Sequence, residues 1–275
     1  MEINVGDADM LNIENLARLE KIPEDYLPLP NDIWDKVEQA YGSGNIGALF
    51  WEGSIPRGDF RPGSSDADFV AIIKSGIERG QASELQERLA ELEPKWQNLG
   101  ITRLDVFALS EDDIHKAQKQ KSVFILATDA IQVLGDKSYD LSFAVPDTKL
   151  ELVRLLNGGL CGHVDWAFSE DRISTNSRWI SKMAMRAIYG IAMINGAKYE
   201  RKMTEYRAGV EQYTPEYITL FDELCSAMNR TWTEQNIEHF HREITDIGER
   251  LDVMFSSSTY LAKDKSELMT SEVSI

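Results

Sequence analysis

Two aspartates in the first third of the chain, Asp66 and Asp68, have the spacing of a metal-binding pair. They lie at the start of an apolar run that ends at Ile73 and predicts a strand, so their i, i+2 spacing places both side chains on one face. Two carboxylates this close repel each other unless a cation lies between them. Hard oxygen ligands favour Mg²⁺, which is usually completed by water and substrate phosphates.

A third carboxylate, Asp105, lies within the next predicted strand, Ile101 to Leu109. If this strand pairs with the one that carries Asp66 and Asp68, the three carboxylates form one cluster. Such a cluster suits metal-assisted displacement at phosphorus. Each part also has an ordinary explanation, since Asp-x-Asp is common in solvated turns and a lone strand aspartate can lie at a sheet edge. The order of the parts within one short window favours the functional interpretation.

A glycine-rich segment precedes the acidic pair and predicts a phosphate-binding loop. Gly53 and Ser54 end an apolar run, and Gly58 follows. Small residues let backbone N–H groups approach a phosphate closely, and the Ser54 hydroxyl can donate to a phosphate oxygen. We expect Arg57 to neutralise charge on a leaving pyrophosphate. The segment lacks the Gly-Lys-Ser/Thr ending of a Walker A loop and the glycine spacing of a Rossmann fold.

The combination of Gly-Ser, a second glycine, Asp-x-Asp and a later strand aspartate resembles the DNA polymerase β-like nucleotidyltransferase superfamily over about residues 45–110. The resemblance implies a small mixed sheet with flanking helices that binds Mg²⁺ and ATP. It implies that Asp66 and Asp68 are metal ligands and that Asp105 is either a ligand or the general base. The residues implied to bind the nucleotide are Gly53, Ser54, Arg57, Gly58 and Ser65.

The second half of the chain contains the run from Ala130 to Asp136, then Pro146 and the helix after it, and the helix 180–189 followed by Gly196 and Lys202. This pattern, which runs to about residue 228, resembles aminoglycoside adenylyltransferases of the streptomycin/spectinomycin type. The resemblance implies a helical domain that closes over the nucleotide, with Lys202 contacting its phosphates. Trp166 and Asp171 are the candidates for stacking on and holding the antibiotic. The third acidic position is Asp105, where that subgroup has a glutamate.

Strands and helices alternate in the first half of the chain, which predicts an α+β fold for residues 1–140. We expect a helix from Asn31, its N-cap, to Tyr41 and a buried strand from Ile46 to Trp51. A longer amphipathic helix is predicted from Ser83, its cap, to Leu99, and a fourth strand from Ala130 to Leu134. These elements form the predicted nucleotidyltransferase domain.

Helical periodicity dominates the rest of the chain. We expect an all-α domain over residues 141–256, followed by a polar tail over residues 257–275. Its predicted helices are 146–156, 176–195, one that opens at Thr214 and Pro215, and 233–255.

Composition limits the partners of this 275-residue chain, whose net charge is −17. Such acidity disfavours binding to nucleic acid and favours a small cationic acceptor. The two cysteines cannot form a disulfide framework, and no secretory signal or membrane-spanning run is visible, so we expect a cytoplasmic protein without a membrane partner.

The sequence thus predicts a Mg²⁺-dependent enzyme that transfers AMP from ATP to a hydroxyl of a small acceptor, of the aminoglycoside type. Two alternatives stay open. In the first alternative, the acceptor is a protein or tRNA, as in toxin–antitoxin nucleotidyltransferases. In the second, the chain is a catalytically dead nucleotide-binding module. Retention of three carboxylates and both loop glycines argues against the dead module.

Overall fold

The computed structural model describes most of the chain, namely Leu11, 13–76, 82–168, 173–228, Arg230 and 232–257. Asp171 and the predicted tail beyond residue 257 lie outside the described residues. The chain divides into two compact units: one lies within 13–145, and the other comprises Leu11 and the described residues of 146–257. No helix within the described ranges is long and apolar enough to cross a membrane.

The first unit is built on a four-stranded mixed sheet with the order β3-β2-β1-β4. β1 pairs antiparallel with both β2 and β4, whereas β2 and β3 are parallel. The parallel pair is joined by a helical crossover, as parallel strands require. Its strands are β1 (Ile46–Glu52), β2 (Ser65–Ile73), β3 (Ile101–Ser110) and β4 (Ala130–Leu134). The predicted α+β class and all four predicted strands are therefore confirmed.

The α-helices described beside the sheet are α1 (Leu29–Tyr41), α2 (Ser54–Arg57), α3 (Ala82–Ala90), α4 (Glu93–Gln97) and α5 (Gln120–Asp129). One face of the sheet packs on α1, α3 and α4, and on this face the Trp51 and Phe69 rings stack with centroids 4.9 Å apart. Because side chains alternate along a strand, the opposite face of β2 and β3 carries the aspartates. The core thus fixes which face is left for the polar cluster.

The helices of this unit differ from the prediction at two points. α1 begins two residues before Asn31, so Asn31 is inside the helix and is not its N-cap; Pro30 in the first turn suits this earlier start. The predicted helix from Ser83 to Leu99 is two helices. Pro94 stands in the first turn of α4, where its missing N–H is harmless, and it would have broken a continuous helix.

Two smaller details of the same segment were also wrong. Ser83 lies in the first turn of α3 and therefore does not cap it. Leu99 follows α4 and is 39% exposed, because the break moves it off the apolar stripe. Leu85, Leu89 and Trp96 are buried as the periodicity predicts.

The second unit is all-α over the residues that the structure describes. Its helices are α6 (Lys149–Asn157), α7 (Leu160–Phe168), α8 (Ile173–Ile194), α9 (Met203–Tyr213), α10 (Ile218–Ala227) and α11 (Glu234–Ser257). α6 starts at a capping box in which the Thr148 hydroxyl accepts from the Glu151 N–H. Thr214 is not a side-chain cap, since its hydroxyl donates to the Val210 carbonyl and a 3₁₀ turn separates it from α10.

Candidate active site

The strand register brings the three predicted aspartates together. β2 and β3 run parallel with Asp68 directly opposite Asp105, and Asp66 lies two residues before Asp68 on the same face. One carboxylate oxygen from each of the three lies within 4.8 Å of the others. We call this group the acidic triad.

A fourth carboxylate, Glu52, borders the acidic triad and was not singled out from the sequence. It is the last residue of β1 and pairs across the strands with Asp68. The register therefore gives a row of carboxylates across three strands, in the order Asp105, Asp68, Glu52. The sequence contains only an indirect signal for Glu52, namely its position directly before Gly53. That it lies opposite Asp68 follows only from the antiparallel register of β1 and β2.

The triad is electrostatically strained around Asp68. Burial, followed by the charges of Asp66, Glu52 and Asp105, raises the pKa of Asp68 from its ordinary value of 3.8 to about 7. Arg103 acts in the opposite direction and lowers it. The positive charge near Asp68 thus does not compensate the negative charge of the surrounding carboxylates. A bound cation would reduce this repulsion.

Arg103 is the second residue at this site that sequence reasoning missed. It lies two residues before Asp105 on β3, and its Nε donates a 2.6 Å hydrogen bond to Asp105 Oδ2. Its Nη2 contacts the same oxygen. Burial alone would lower the pKa of Arg103, but the hydrogen bond to Asp105 and the charges of the triad raise it. The sequence does show this signal, because an arginine two residues before Asp105 on a predicted strand lies on the same face as that aspartate.

Gly53 is required by the close approach of its backbone to the triad. Its φ is +91°, a conformation that L-residues rarely adopt. A Cβ at this position would stand 2.8 Å from Asp68 Oδ2. The glycine therefore lets the chain turn from β1 into α2 while it passes beside the Asp68 carboxylate.

Ser54 follows at the first residue of α2. Its hydroxyl oxygen is buried and has no hydrogen-bond partner among the described residues. Gly58 closes the same short helix in a left-handed conformation, and its N–H donates to the Ile55 carbonyl at 3.0 Å. The loop thus holds a buried hydroxyl whose hydrogen-bonding capacity is unused, next to the residue that abuts Asp68.

Two other predicted nucleotide-binding residues make contacts within the loop region. Arg57 Nη1 donates to Asp129 at 2.6 Å, and Nε donates to Asp59 at 3.3 Å. Ser65 Oγ accepts the Arg61 N–H at 3.0 Å, which braces the turn that leads into β2. These contacts hold the loop and the start of β2 in place. This positioning role is the one that the geometry supports directly for Arg57 and Ser65.

The remaining predicted residues lie in the helical unit. Lys202 is exposed and directly precedes α9. Trp166 is an exposed residue of α7 whose ring stands edge-on to that of Trp179, with centroids 6.1 Å apart. These residues are separate in the chain from the acidic triad, which belongs to the other unit.

The triad fits a hard divalent cation. Oxygen ligands from three carboxylates within 4.8 Å are the donor set that Mg²⁺ takes, and the strained Asp68 supplies a reason for a cation to bind.

Comparison with known proteins supports the same fold. One solved structure similar to this chain is the spectinomycin adenyltransferase AAD(9) from Enterococcus faecialis, with ATP and spectinomycin. The match has a TM-score of 0.53 and covers 80% of this chain and 99% of that chain. The chain has a nucleotidyltransferase fold.

Sequence similarity to that structure is low, at 12% identity, so the shared property is the fold. The chain matches no protein-family model and no curated protein. The resemblance that the sequence shows to nucleotidyltransferases is thus confirmed at the level of fold, and the chemistry has to be argued from the site.

Proposed function

We propose that this chain is a Mg²⁺-dependent nucleotidyltransferase that adenylylates a hydroxyl group of a small acceptor. The acceptor oxygen forms a bond to the α-phosphorus of ATP, and the bond from that phosphorus to the leaving pyrophosphate breaks. The observation that carries the proposal is the acidic triad on the face of a nucleotidyltransferase sheet, with its carboxylate oxygens within 4.8 Å of one another.

Asp66 and Asp68 are the proposed metal ligands, because they share one strand face and their charges repel each other when no cation is bound. A divalent cation held there supplies neutralising charge for the reacting phosphates. The chain itself contributes a rigid sheet that fixes the carboxylates before substrate arrives, so that little reorganisation accompanies the reaction.

Asp105 has two proposed roles that one variant separates. It completes the metal site as a third ligand, or it takes the proton that the acceptor hydroxyl loses. In Asp105→Asn, weaker Mn²⁺ binding assigns Asp105 as a ligand. A fall in kcat with unchanged Mn²⁺ affinity assigns it as the proton acceptor.

The loop after β1 is the proposed phosphate site. The buried Ser54 hydroxyl has no partner among the described residues and can donate to a phosphate oxygen, and Gly53 keeps the loop backbone close to Asp68. By its resemblance to the lysine of adenylyltransferases, Lys202 is proposed as a further phosphate contact. Arg57 supports this site by fixing α2 through Asp129.

The proposed acceptor is a cationic, hydroxylated small molecule of the aminoglycoside type. The net charge of −17 attracts cations, and the fold is shared with a structure that holds spectinomycin. The exposed Trp166 and Trp179 rings offer apolar faces for a sugar ring. Asp171 stays a proposed partner for an ammonium group.

The experiment is a pyrophosphate-release assay with Mg²⁺, ATP and a panel of aminoglycosides that includes streptomycin and spectinomycin. Asp66→Asn removes a triad carboxylate, and Asp35→Asn removes an exposed carboxylate of α1 as the matched control. We expect acceptor-dependent release in the parent protein and in Asp35→Asn, and none in Asp66→Asn.

The other outcomes redirect the proposal. Binding of Mg²⁺–ATP without release on any antibiotic would move the acceptor to a macromolecule. Absence of both binding and release would leave a nucleotidyltransferase fold without its chemistry and would refute the proposed function.

A further inference from the structure

Arg103 engages the acidic triad in a way that a bound metal ion would have to change. Its Nε and Nη2 both contact Oδ2 of Asp105, one of the three residues whose carboxylates could hold the ion. The i, i+2 spacing on β3 puts the guanidinium on the same sheet face as the triad. A cation of the chain therefore already occupies part of the donor set.

The influence of Arg103 extends beyond its contact with Asp105. Its positive charge also interacts with the charges of Asp66 and Asp68, which lie on the same face of the sheet. Arg103 thus interacts with the triad as a whole. A divalent cation and this guanidinium compete for the same negative charge.

The contact is also weak enough to exchange. The side chain of Arg103 is 63% exposed and that of Asp105 is 33% exposed. Ion pairs with this degree of exposure contribute little net stability, because both groups are well hydrated when apart. The planar guanidinium is in addition well suited to bind phosphate oxygens through two parallel N–H groups.

We propose that Arg103 is a built-in counter-ion that makes metal and nucleotide binding depend on each other. Without nucleotide, Arg103 holds Asp105 and weakens the binding of a divalent cation. When a nucleoside triphosphate binds, Arg103 leaves Asp105 for a phosphate oxygen and the cation takes its place. Arg103 is then a positioning residue that delays assembly of the metal site until the nucleotide is present. This inference rests on the proposed function.

The test measures Mn²⁺ affinity by electron paramagnetic resonance, without nucleotide and with a non-hydrolysable ATP analogue. Mn²⁺ binding to the analogue in solution is measured separately and subtracted. The ratio of the two affinities is the coupling factor, which by linkage also describes the effect of metal on the nucleotide. The proteins compared are the parent, Arg103→Gln, Arg103→Lys and Arg88→Gln, a matched loss of an arginine that pairs with Glu84 on α3.

We expect Arg103→Gln to bind Mn²⁺ alone about fivefold more tightly, since a repelling unit charge a few ångströms away is removed. Its coupling factor should fall by a similar ratio. Arg103→Lys keeps the charge and should stay near the parent value, and Arg88→Gln should match the parent. A purely structural role for Arg103 would not tighten metal binding.

Two results overturn the inference while the proposed function stands. One is Mn²⁺ affinity in Arg103→Gln that is unchanged or weaker. The other is tighter Mn²⁺ binding with an unchanged coupling factor, which removes the exchange to phosphate. If neither the parent nor Arg103→Gln binds Mn²⁺, the metal site of the proposed function fails together with the inference. The expected affinities without pyrophosphate release on any acceptor would refute only the transfer reaction.

Discussion

Asp68 is repelled by the neighbouring carboxylates and lies very close to the backbone of Gly53. Its carboxylate is partly buried beside three others, and burial together with their charges raises its pKa to about 7. The Gly53 backbone passes so close that no side chain fits between them. Residues that a fold needs only for stability are rarely arranged in this way, since the repulsion destabilises the metal-free protein. This cost is measurable.

Asp68→Asn should stabilise the metal-free protein at neutral pH. Because the folded pKa lies near 7 and the unfolded value near 3.8, the folded state binds more protons between these values and loses stability as pH rises through them. We expect the variant to gain about 1–3 kcal/mol over the parent above pH 7, and progressively less toward pH 4. Urea unfolding in EDTA at pH 5 and pH 8 measures the difference.

Asp35→Asn, on the exposed surface of α1, is the control for that experiment and should show no such pH-dependent gain. A variant Asp68→Asn that is less stable than the parent at pH 8 would show that the carboxylate is held by attractive contacts. The repulsion argued for the triad would then be wrong.

Gly53→Ala should cost more than an ordinary glycine substitution. Backbone strain arises from φ +91°, and the new methyl group would meet Asp68 Oδ2 at 2.8 Å. Gly44→Ala is the matched control, because Gly44 has φ +78° and no heavy atom within 4 Å of a new Cβ. We expect a loss in unfolding free energy of about 2–4 kcal/mol at Gly53 and about 1 kcal/mol at Gly44. Equal losses would show that the contact with Asp68 carries no energy.

Elements determine which of these residues meet. The period of two along a strand predicts that Asp66 and Asp68 share a face, and the parallel pairing of β2 with β3 adds Asp105 as expected. The sequence does not reveal that Glu52 stands opposite Asp68, because cross-strand register depends on the turn and on the whole hydrophobic pattern. Dependence on this register is why Glu52 was not predicted, whereas Arg103, two residues before Asp105 on the same strand, was visible in the sequence and was overlooked.

Helix ends were the less predictable elements. The apolar spacing correctly predicted burial of Leu85, Leu89 and Trp96, but it also suggested one continuous helix. Pro94 interrupts that helix and stands in the first turn of α4, and the spacing of apolar residues alone does not reveal such a break. The strands were predicted more accurately, because packing on both faces of the sheet sets their burial pattern.

Arg57 links the glycine loop to α5 through Asp129, whose side chain is 1% exposed. Removing the arginine breaks a 2.6 Å ion pair with a buried carboxylate, so Arg57→Gln should destabilise the protein by about 2–4 kcal/mol. Asp129→Asn in the Arg57→Gln background should restore a large part of that loss. A double-mutant cycle from urea unfolding measures the coupling.

The same cycle distinguishes the structural role from the predicted phosphate role of Arg57. A direct contact with pyrophosphate predicts a loss of catalysis or a higher KM for ATP, with little change in stability and no rescue by Asp129→Asn. Additive stability losses in the two single variants would refute the structural pairing.

For the whole molecule, the net charge of −17 acts on every ligand that approaches. Its field extends over a Debye length, about 10 Å at 0.1 M salt, and it attracts cations and repels polyanions. The two kinds of acceptor considered for this fold, a cationic antibiotic and a tRNA, should therefore respond to salt with opposite signs.

The KM for a cationic aminoglycoside should rise severalfold between 50 and 250 mM NaCl, because added salt screens the attraction. For a tRNA acceptor, the same protein repels the phosphate backbone, and added salt should lower the KM until screening is complete. Steady-state assays at constant free Mg²⁺ measure this, with a neutral sugar alcohol added at equal osmolality as the control. A KM that does not change with salt would show that charge plays no part in acceptor capture, so that the acidity of the chain would no longer support a cationic acceptor.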